Sequence, residues 1–171
     1  MESEPPVPPA IVITDANILI NFYHLGQLSL LGEMTPWRFK VPQEVIDEIA
    51  EPAQRTAVDA AIHKGLLEVF VLSDMSALAL FAELRSLMGR GEAACLASAA
   101  TAHHLIASDE KRCFRRKAIE LLGEGRILRT EDLLVRAIRL GRVSVAEADG
   151  FKAVLASLRY AMPFESFAER L

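Results

Sequence analysis

Two aspartates stand where short apolar segments of the chain end. The β-branched run Ile11–Thr14 predicts a buried strand that stops at Asp15, and the segment His104–Ser108 predicts another that stops at Asp109. Ligands of open parallel sheets bind beyond the carboxyl ends of the strands. We therefore expect both carboxylates at one edge of a sheet, although either aspartate could instead cap a helix or form a turn.

Two glutamates bring further negative charge to neighbouring helices. Glu48 lies one turn after Glu44 on a helix predicted over residues 42–51, and Glu92 follows Gly91 at a predicted helix start. Two carboxylates about 5 Å apart repel by about 3 kcal/mol at an effective dielectric constant of 20. Four converging acids would therefore require a cation or raised pKa values. Mg²⁺ and Mn²⁺ match such oxygen ligands and can clamp a phosphate and activate water for phosphodiester hydrolysis.

A short basic segment follows the second aspartate. Its five positive charges lie within seven residues, at Lys111, Arg112, Arg115, Arg116 and Lys117. The apolar residues between them predict a helix over residues 110–122 whose basic side chains face outward. We expect the first four of these residues to contact a phosphate backbone. The alternative is a solvated face that pairs with acids such as Glu120.

Strands and helices alternate along the chain. Predicted strands cover residues 11–14, 38–41, 66–72, 104–108 and 126–129, with helices between them. A capping box at Ser144–Glu147 predicts a further helix that reaches about Tyr160. The alternation favours an α/β/α sandwich with a short, mostly parallel central sheet flanked by helices.

The length of 171 residues fits one domain. The proline-rich residues 1–10 predict a flexible leader, residues 11–171 predict a single domain, and residues 143–171 predict a helical tail packed on it. Neither a membrane-spanning apolar run nor a secretory signal is recognised, so we predict a cytoplasmic protein without membrane contact.

The composition excludes some classes of protein. Hydrophobic residues make up 51% and charged residues 25%, which is too apolar for a disordered chain. The net charge of −4 excludes a globally basic nucleic-acid binder but permits a local basic patch. Cys95 and Cys113 form neither a CxxC pair nor a disulfide framework, and we expect both thiols to be buried.

Other motifs in the chain indicate different functions only weakly. Residues 89–94 match the G-x-G-x-x-A pattern of dinucleotide-binding loops, but the preceding segment has helical spacing and Glu92 would oppose a pyrophosphate. The pair Asp15 and Asn17 resembles a phosphatase DxD motif that lacks its second acid. A small-molecule phosphohydrolase stays an alternative on the same acids. His103 and His104 lack partners at metal-site spacing.

Four stretches in order resemble the PIN-domain ribonucleases, and most closely the VapC-type toxins of bacterial toxin–antitoxin pairs. The stretches are IVITDANILI (11–20), VPQEVIDEIA (41–50), GRGEAACLASA (89–99) and LIASDEKRCFRRKA (105–118). With the closing segment from Arg142 to Leu171, the resemblance covers nearly the whole chain after residue 10.

The resemblance implies roles for individual residues. Catalytic acids are expected at Asp15, Glu48, Glu92 and Asp109. Three of them, Asp15, Glu92 and Asp109, would hold Mg²⁺ or Mn²⁺, while Asn17 and Ser108 would orient the site. Glu44 and Glu110 are auxiliary acids, since Glu44 could replace Glu48 and relatives carry a second aspartate at position 110.

The implied function is metal-dependent hydrolysis of RNA phosphodiester bonds by an endoribonuclease that acts as a toxin. Its implied partners are the RNA substrate, a cognate antitoxin protein and a second copy of the chain. The RNA backbone would be contacted by Lys111, Arg112, Arg115 and Arg116. The alternative is a degenerate PIN-type module that binds RNA or a protein without cleavage, because Glu92 and Glu110 stand where relatives often carry aspartate.

Overall fold

A computed structural model describes residues 10–171 of the chain. Its strands are Ala10–Thr14 (β1), Trp37–Pro42 (β2), Glu68–Phe70 (β3), Leu105–Ala107 (β4) and Ile127–Leu128 (β5). They form one sheet in the order β3-β2-β1-β4-β5, and every neighbouring pair is parallel. The predicted parallel sheet is confirmed. Strands β3, β4 and β5 are shorter than predicted, whereas β1 and β2 are one and two residues longer.

Helices flank this sheet and complete the predicted α/β/α sandwich. Within residues 10–171 they are Ala16–His24 (α1), Leu30–Glu33 (α2), Gln43–Glu48 (α3), Pro52–His63 (α4), Met75–Leu84 (α5), Arg90–Thr101 (α6), Cys113–Leu122 (α7), Thr130–Arg139 (α8) and Val145–Ser157 (α9). Single turns of 3-10 helix lie at Glu124–Arg126 and Phe167–Arg170.

The core forms around the middle of the sheet. Val12 and Ile13 of β1 are 0% and 1% exposed. Helix α6 packs against β1, β2 and β4, and the small side chains of Ala93, Ala94 and Ala97 are fully buried there. Small residues let a helix approach a sheet closely, which explains why the most central helix has only a weakly amphipathic sequence.

The helix predicted over residues 42–51 is shorter, and a second helix follows it. Helix α3 ends at Glu48, and α4 begins at Pro52 with the Glu51 side chain accepting hydrogen bonds from the next free backbone N–H groups. Proline fits the first turn of a helix, so Pro52 starts a helix here rather than merely following one. The sequence pattern does not single out α4, because its buried face consists only of Val58 and Ala61.

Helix α7 begins three residues later than predicted, at Cys113. Residues 109–112 form a loop, and Arg112 has a positive φ of 53°. Cys113 is half-buried rather than buried, whereas Cys95 is fully buried as expected. The basic segment is therefore divided between an irregular loop and the first turns of a helix.

The C-terminal segment packs on the rest of the fold. The predicted capping box at Ser144 is confirmed, since the Ser144 and Glu147 side chains bond each other's backbone N–H groups. Helix α9 ends at Ser157 rather than near Tyr160, and it contacts α1 and α8. Residues 1–9 of the predicted leader lie outside the described residues, whereas Ala10, its last residue, belongs to β1. The single domain over residues 11–171 stays a prediction.

Candidate active site

The order of the strands reverses between β1 and β4. From β1 the chain continues to β2 and β3 on one side, and it later returns to β4 and β5 on the other. Such a switch point opens a crevice beyond the carboxyl ends of the two strands. Asp15 directly follows β1, and its backbone N–H donates to the carbonyl of Ala107 at the end of β4 over 3.0 Å. Asp15, Asp109 and Glu110 thus leave the sheet side by side.

Asp15 is a buried carboxyl at the N-terminus of α1, with 3% of its surface exposed. Its Oδ1 accepts from the backbone N–H of Ala16 at 2.7 Å, and its Oδ2 accepts from the Ser108 hydroxyl at 3.1 Å. Burial and the charges of Glu110 and Glu92 raise the pKa of Asp15 from 3.8 to about 7, although the two hydrogen bonds oppose this rise. A nearby positive charge would favour the ionised form.

Glu92 and Glu110 are the acids that act on Asp15 through their charges. Glu92 lies in the first turn of α6, and its own pKa is raised by burial and by the charge of Glu110. The Glu110 carboxylate accepts a hydrogen bond from the Asn17 amide at 3.0 Å. The backbone N–H of Glu110 donates to Ser108 Oγ at 3.2 Å. We call Asp15, Glu92 and Glu110 the acid site.

Glu48 joins this region from α3. Its Oε1 accepts from the backbone N–H of Gly91 at 2.7 Å, and a Cβ at Gly91 would collide with the Glu48 carboxylate. One turn earlier, Glu44 Oε2 is buried and has no hydrogen-bond partner in the described part of the chain. Both glutamates, with Asp15 and Glu92, add to the effect of burial in raising the pKa of the Cys95 thiol.

Asp109 turns away from the acid site into the protein interior. Its Oδ1 accepts from the Thr130 backbone N–H at 2.9 Å and from the Tyr160 hydroxyl at 2.6 Å. Its Oδ2 accepts from the Thr130 hydroxyl at 2.5 Å and from the Asn21 amide at 2.9 Å. Four donors thus occupy the carboxylate. Burial raises the pKa of Asp109, and the bonds to Thr130 and Tyr160 oppose that rise.

The partners of Asp109 are functional candidates that sequence analysis did not identify. The Tyr160 hydroxyl also lies 2.5 Å from Glu131 Oε2, and Glu131 Oε1 lies 3.3 Å from Arg129 Nη1. We call these residues the Asp109 cluster: Asn21, Asp109, Arg129, Thr130, Glu131 and Tyr160. Only Asn21 had a usable signal, since it lies four residues after Asn17 on the same face of α1.

The basic residues follow Glu110 of the acid site in the chain. Lys111, Arg112 and Arg116 are exposed, and Arg115 is partly exposed. None of the four forms a salt bridge within residues 10–171, whereas Lys117 pairs with Glu120 at 2.8 Å. The predicted RNA-contacting residues are therefore free to meet an external anion, and their role stays a prediction.

The acids match a hard divalent cation in donor chemistry. They provide carboxylate oxygens, one of which on Glu44 is buried without a partner among the residues that the structure describes. In the described range, however, no three His, Cys, Asp or Glu side chains are gathered closely enough to hold one ion. Side chains of the acid site would therefore have to move together to bind a metal.

None of the helices seen between residues 10 and 171 combines the length and the apolar character that are needed to cross a bilayer.

Comparison with known proteins identifies the family. None of the curated proteins matches the chain. Among solved structures, it is similar to a chain in the crystal structure of VapBC2 from Rickettsia felis bound to a DNA fragment from their promoter. The two are 15% identical, the match covers 62% of this chain and 92% of that chain, and the TM-score is 0.46. A family model described as PIN domain matches residues 11–159. The resemblance to PIN domains is thereby confirmed, and the chain belongs to the PIN-domain family, whose members are typically nucleases.

Proposed function

We propose that this protein is a metal-dependent endoribonuclease that hydrolyses RNA phosphodiester bonds. One observation supports the proposal: the acid site lies at the switch point of the sheet, where burial and the charges of neighbouring acids raise the pKa of Asp15 and Glu92. Mutual repulsion of this kind destabilises the folded chain unless a cation relieves it. A divalent cation bound between these acids would relieve that cost.

The structure suggests an assignment of the metal ligands that differs in one residue from the sequence-based expectation. Asp15 and Glu92 keep their proposed role. Glu110 takes the place expected for Asp109, because the Asp109 carboxylate is occupied by four donors whereas Glu110 acts electrostatically on Asp15. Glu48 and Glu44 supply further oxygens from α3. Mg²⁺ or Mn²⁺ bound there would polarise the phosphate and lower the pKa of water.

The surrounding residues would hold the acids in place. Ser108 contacts both Asp15 and Glu110, so that one hydroxyl fixes the spacing of the two residues. Asn17 donates to Glu110 from its amide nitrogen and accepts the backbone N–H of Asp109 at 3.3 Å with its oxygen. These bonds restrict the acids before substrate arrives, which is how outer residues tune a metal site.

Four basic residues that follow Glu110 in the chain would bind the RNA backbone. Lys111 and Arg112 lie on the loop directly after Glu110, and Arg115 and Arg116 lie in the first turns of α7. Their charges offset the repulsion between the acids and the phosphates that flank the cleaved bond.

The biological setting follows from the resemblance to VapC-type toxins and stays a proposal. We infer that the protein is the toxin of a toxin–antitoxin pair, that it acts in the cytoplasm and that two copies associate. A small open reading frame overlapping the start of this one would support the antitoxin. Co-purification of its product with this chain would test the pairing directly.

Cleavage of a structured RNA by the purified chain tests the proposed activity. We expect cleavage that requires Mn²⁺ or Mg²⁺, and we expect Asp15→Asn to lose at least about a hundredfold in rate. The matched control is Asp59→Asn, which changes an exposed acid paired with Arg55 on α4. Equal cleavage by the Asp15→Asn variant and the parent would contradict the proposal. RNA binding without cleavage by the parent would instead support a degenerate PIN module.

A further inference from the structure

Tyr160 reaches the Asp109 cluster from a firmly held position in the C-terminal segment. Its backbone N–H donates to the carbonyl of Leu155 at 2.9 Å, and the N–H of Arg159 donates to the carbonyl of Ala156 at 3.1 Å. Arg159 adopts a left-handed φ of 68°. These features form a Schellman-type helix end, which fixes the direction of the chain after α9. The tyrosine side chain is thereby aimed at Asp109.

We propose that Tyr160 and Asp109 are positioning residues for the acid site. The Tyr160 hydroxyl, together with Thr130 and Asn21, holds the Asp109 carboxylate inward, so that the turn after β4 presents Glu110 to Asp15. This inference rests on the proposed function, because it assigns a role in arranging the metal ligands. Neither residue contacts the metal or the RNA in this role.

The turn itself shows how the two neighbouring acids are coupled. Asn17 accepts the backbone N–H of Asp109 and donates to the Glu110 carboxylate, and Ser108 accepts the backbone N–H of Glu110. If the Asp109 side chain rotated outward, the buried N–H and hydroxyl of Thr130 would lose their acceptor. Burial without a partner is unfavourable for such groups, so the cluster favours one conformation of the turn.

The Asp109 cluster has one cation, Arg129, beside its two carboxyl groups, Asp109 and Glu131. The Arg129 guanidinium lies 3.9 Å from Asp109 Oδ1 and 3.3 Å from Glu131 Oε1, and it lies 5.9 Å from the centre of the Tyr160 ring. A carboxylate with these partners has little need of a metal ion. The cluster therefore positions the residues of the acid site and supplies no metal ligand itself.

Mn²⁺ affinity of a Tyr160→Phe variant tests the inference. Loss of the hydroxyl should weaken Mn²⁺ binding, measured by calorimetry or electron paramagnetic resonance, by about tenfold. It should also lower kcat while leaving the KM for RNA unchanged, since the basic residues are not affected. The matched control is Tyr23→Phe, because no hydrogen bond of the Tyr23 hydroxyl is found within residues 10–171. Unchanged Mn²⁺ affinity in a folded Tyr160→Phe variant would overturn the inference.

A double-mutant cycle then shows whether Tyr160 acts through Asp109. Asp109→Asn alone should also weaken Mn²⁺ binding about tenfold, and the double variant should lose no more than either single variant. An additive loss of about a hundredfold would overturn the coupling. If Tyr160→Phe fails to fold, Asn21→Ala removes another donor to the same carboxylate and should weaken Mn²⁺ binding in the same way. An Asn21→Ala variant with parental affinity would be equally contradictory.

The outcome separates this inference from the proposed function. If the parent binds Mn²⁺ through Asp15 and Tyr160→Phe binds it equally well, only the positioning role is wrong. If the parent binds no Mn²⁺, the metal site itself is wrong, and the positioning role falls with it.

Discussion

The acid site and the Asp109 cluster are adjacent groups of carboxylates that are stabilised in opposite ways. In the Asp109 cluster, an arginine, two hydroxyls, an amide and a backbone N–H surround two acids. In the acid site, three acids act on one another and only a few donors reach them. The first group has its own cation in Arg129, whereas no salt bridge reaches the acids of the second group within residues 10–171.

This difference shows how one short segment can supply both structure and chemistry. Ser108, Asp109 and Glu110 are consecutive, yet the middle residue faces the interior and its two neighbours face the acid site. Residue type alone does not separate a buried structural carboxylate from a ligand. The number of donors that reach each carboxylate does separate them.

The largest change in the free energy of unfolding is expected from removing the charge of Asp15 in the metal-free protein. Its folded pKa of about 7 lies above the ordinary 3.8. The folded chain therefore binds more protons than the unfolded chain between these values, and stability falls as the pH rises from about 4 to 7. The shift corresponds to about 4 kcal/mol.

Asp15→Asn should thus raise the free energy of unfolding at pH 8 by as much as about 4 kcal/mol and flatten its pH dependence. Urea unfolding at pH 5 and pH 8 measures both effects. Asp59→Asn, a change in an exposed ion pair, should alter stability by less than about 1 kcal/mol. A less stable Asp15→Asn variant at pH 8 would show that burial and the neighbouring acids do not disfavour the charge of Asp15.

Divalent cations should stabilise the parent by a somewhat smaller amount. Mn²⁺ at a hundred times its dissociation constant should add about 2.7 kcal/mol to the free energy of unfolding, because it binds only the folded chain. Thermal unfolding with and without Mn²⁺ measures the gain. Asp15→Asn should lose most of it, and an equal gain in that variant would place the ion elsewhere.

Asp109→Asn should have the opposite effect on stability to Asp15→Asn. It weakens the bonds from Thr130 and Tyr160 inside the cluster, so the metal-free protein should lose about 1–3 kcal/mol. Unfolding in urea without metal measures this loss. Stabilisation by Asp109→Asn would mean that the two groups of acids do not differ as described.

The smallest effect is expected from the basic residues outside both groups. Replacing Arg115 and Arg116 by glutamine should weaken the salt dependence of RNA binding. The slope of log K against log salt concentration should fall in magnitude by roughly one for each RNA phosphate that is no longer neutralised. Lys117→Gln is the matched control, since Lys117 already pairs with Glu120. RNA affinity is measured across a salt series, and equal slopes for the parent and both variants would remove these arginines from the RNA path.

Much of the fold could be predicted because it depends on local patterns. The strand at residues 11–14 and the capping box at Ser144 are visible in short stretches of sequence, and both are confirmed. Helix α4 could not be predicted in the same way, because its buried face is small and a proline such as Pro52 also suits the position just after a helix. The late start of α7 follows from the turn at residues 109–112, which depends on contacts with α1.

For the candidate site, the sequence predicted which acids lie at the edge of the sheet but not how their side chains are oriented. Asp15 and Glu92 lie where their motifs indicated, near one another. The inward orientation of Asp109 could not be predicted, since it depends on Thr130 and Tyr160, which are 21 and 51 residues away in the chain. Hydrogen bonds over such separations have no periodic signature in a sequence.

The unequal surroundings of the two cysteines make the native chain suitable for site-selective labelling. Cys95 is fully buried and its thiol pKa is raised, so it will react slowly with alkylating reagents. Cys113 is partly accessible at the start of α7, next to the loop with Lys111 and Arg112. A fluorophore coupled there, without any engineered mutation, would report the arrival of RNA at the basic loop in real time.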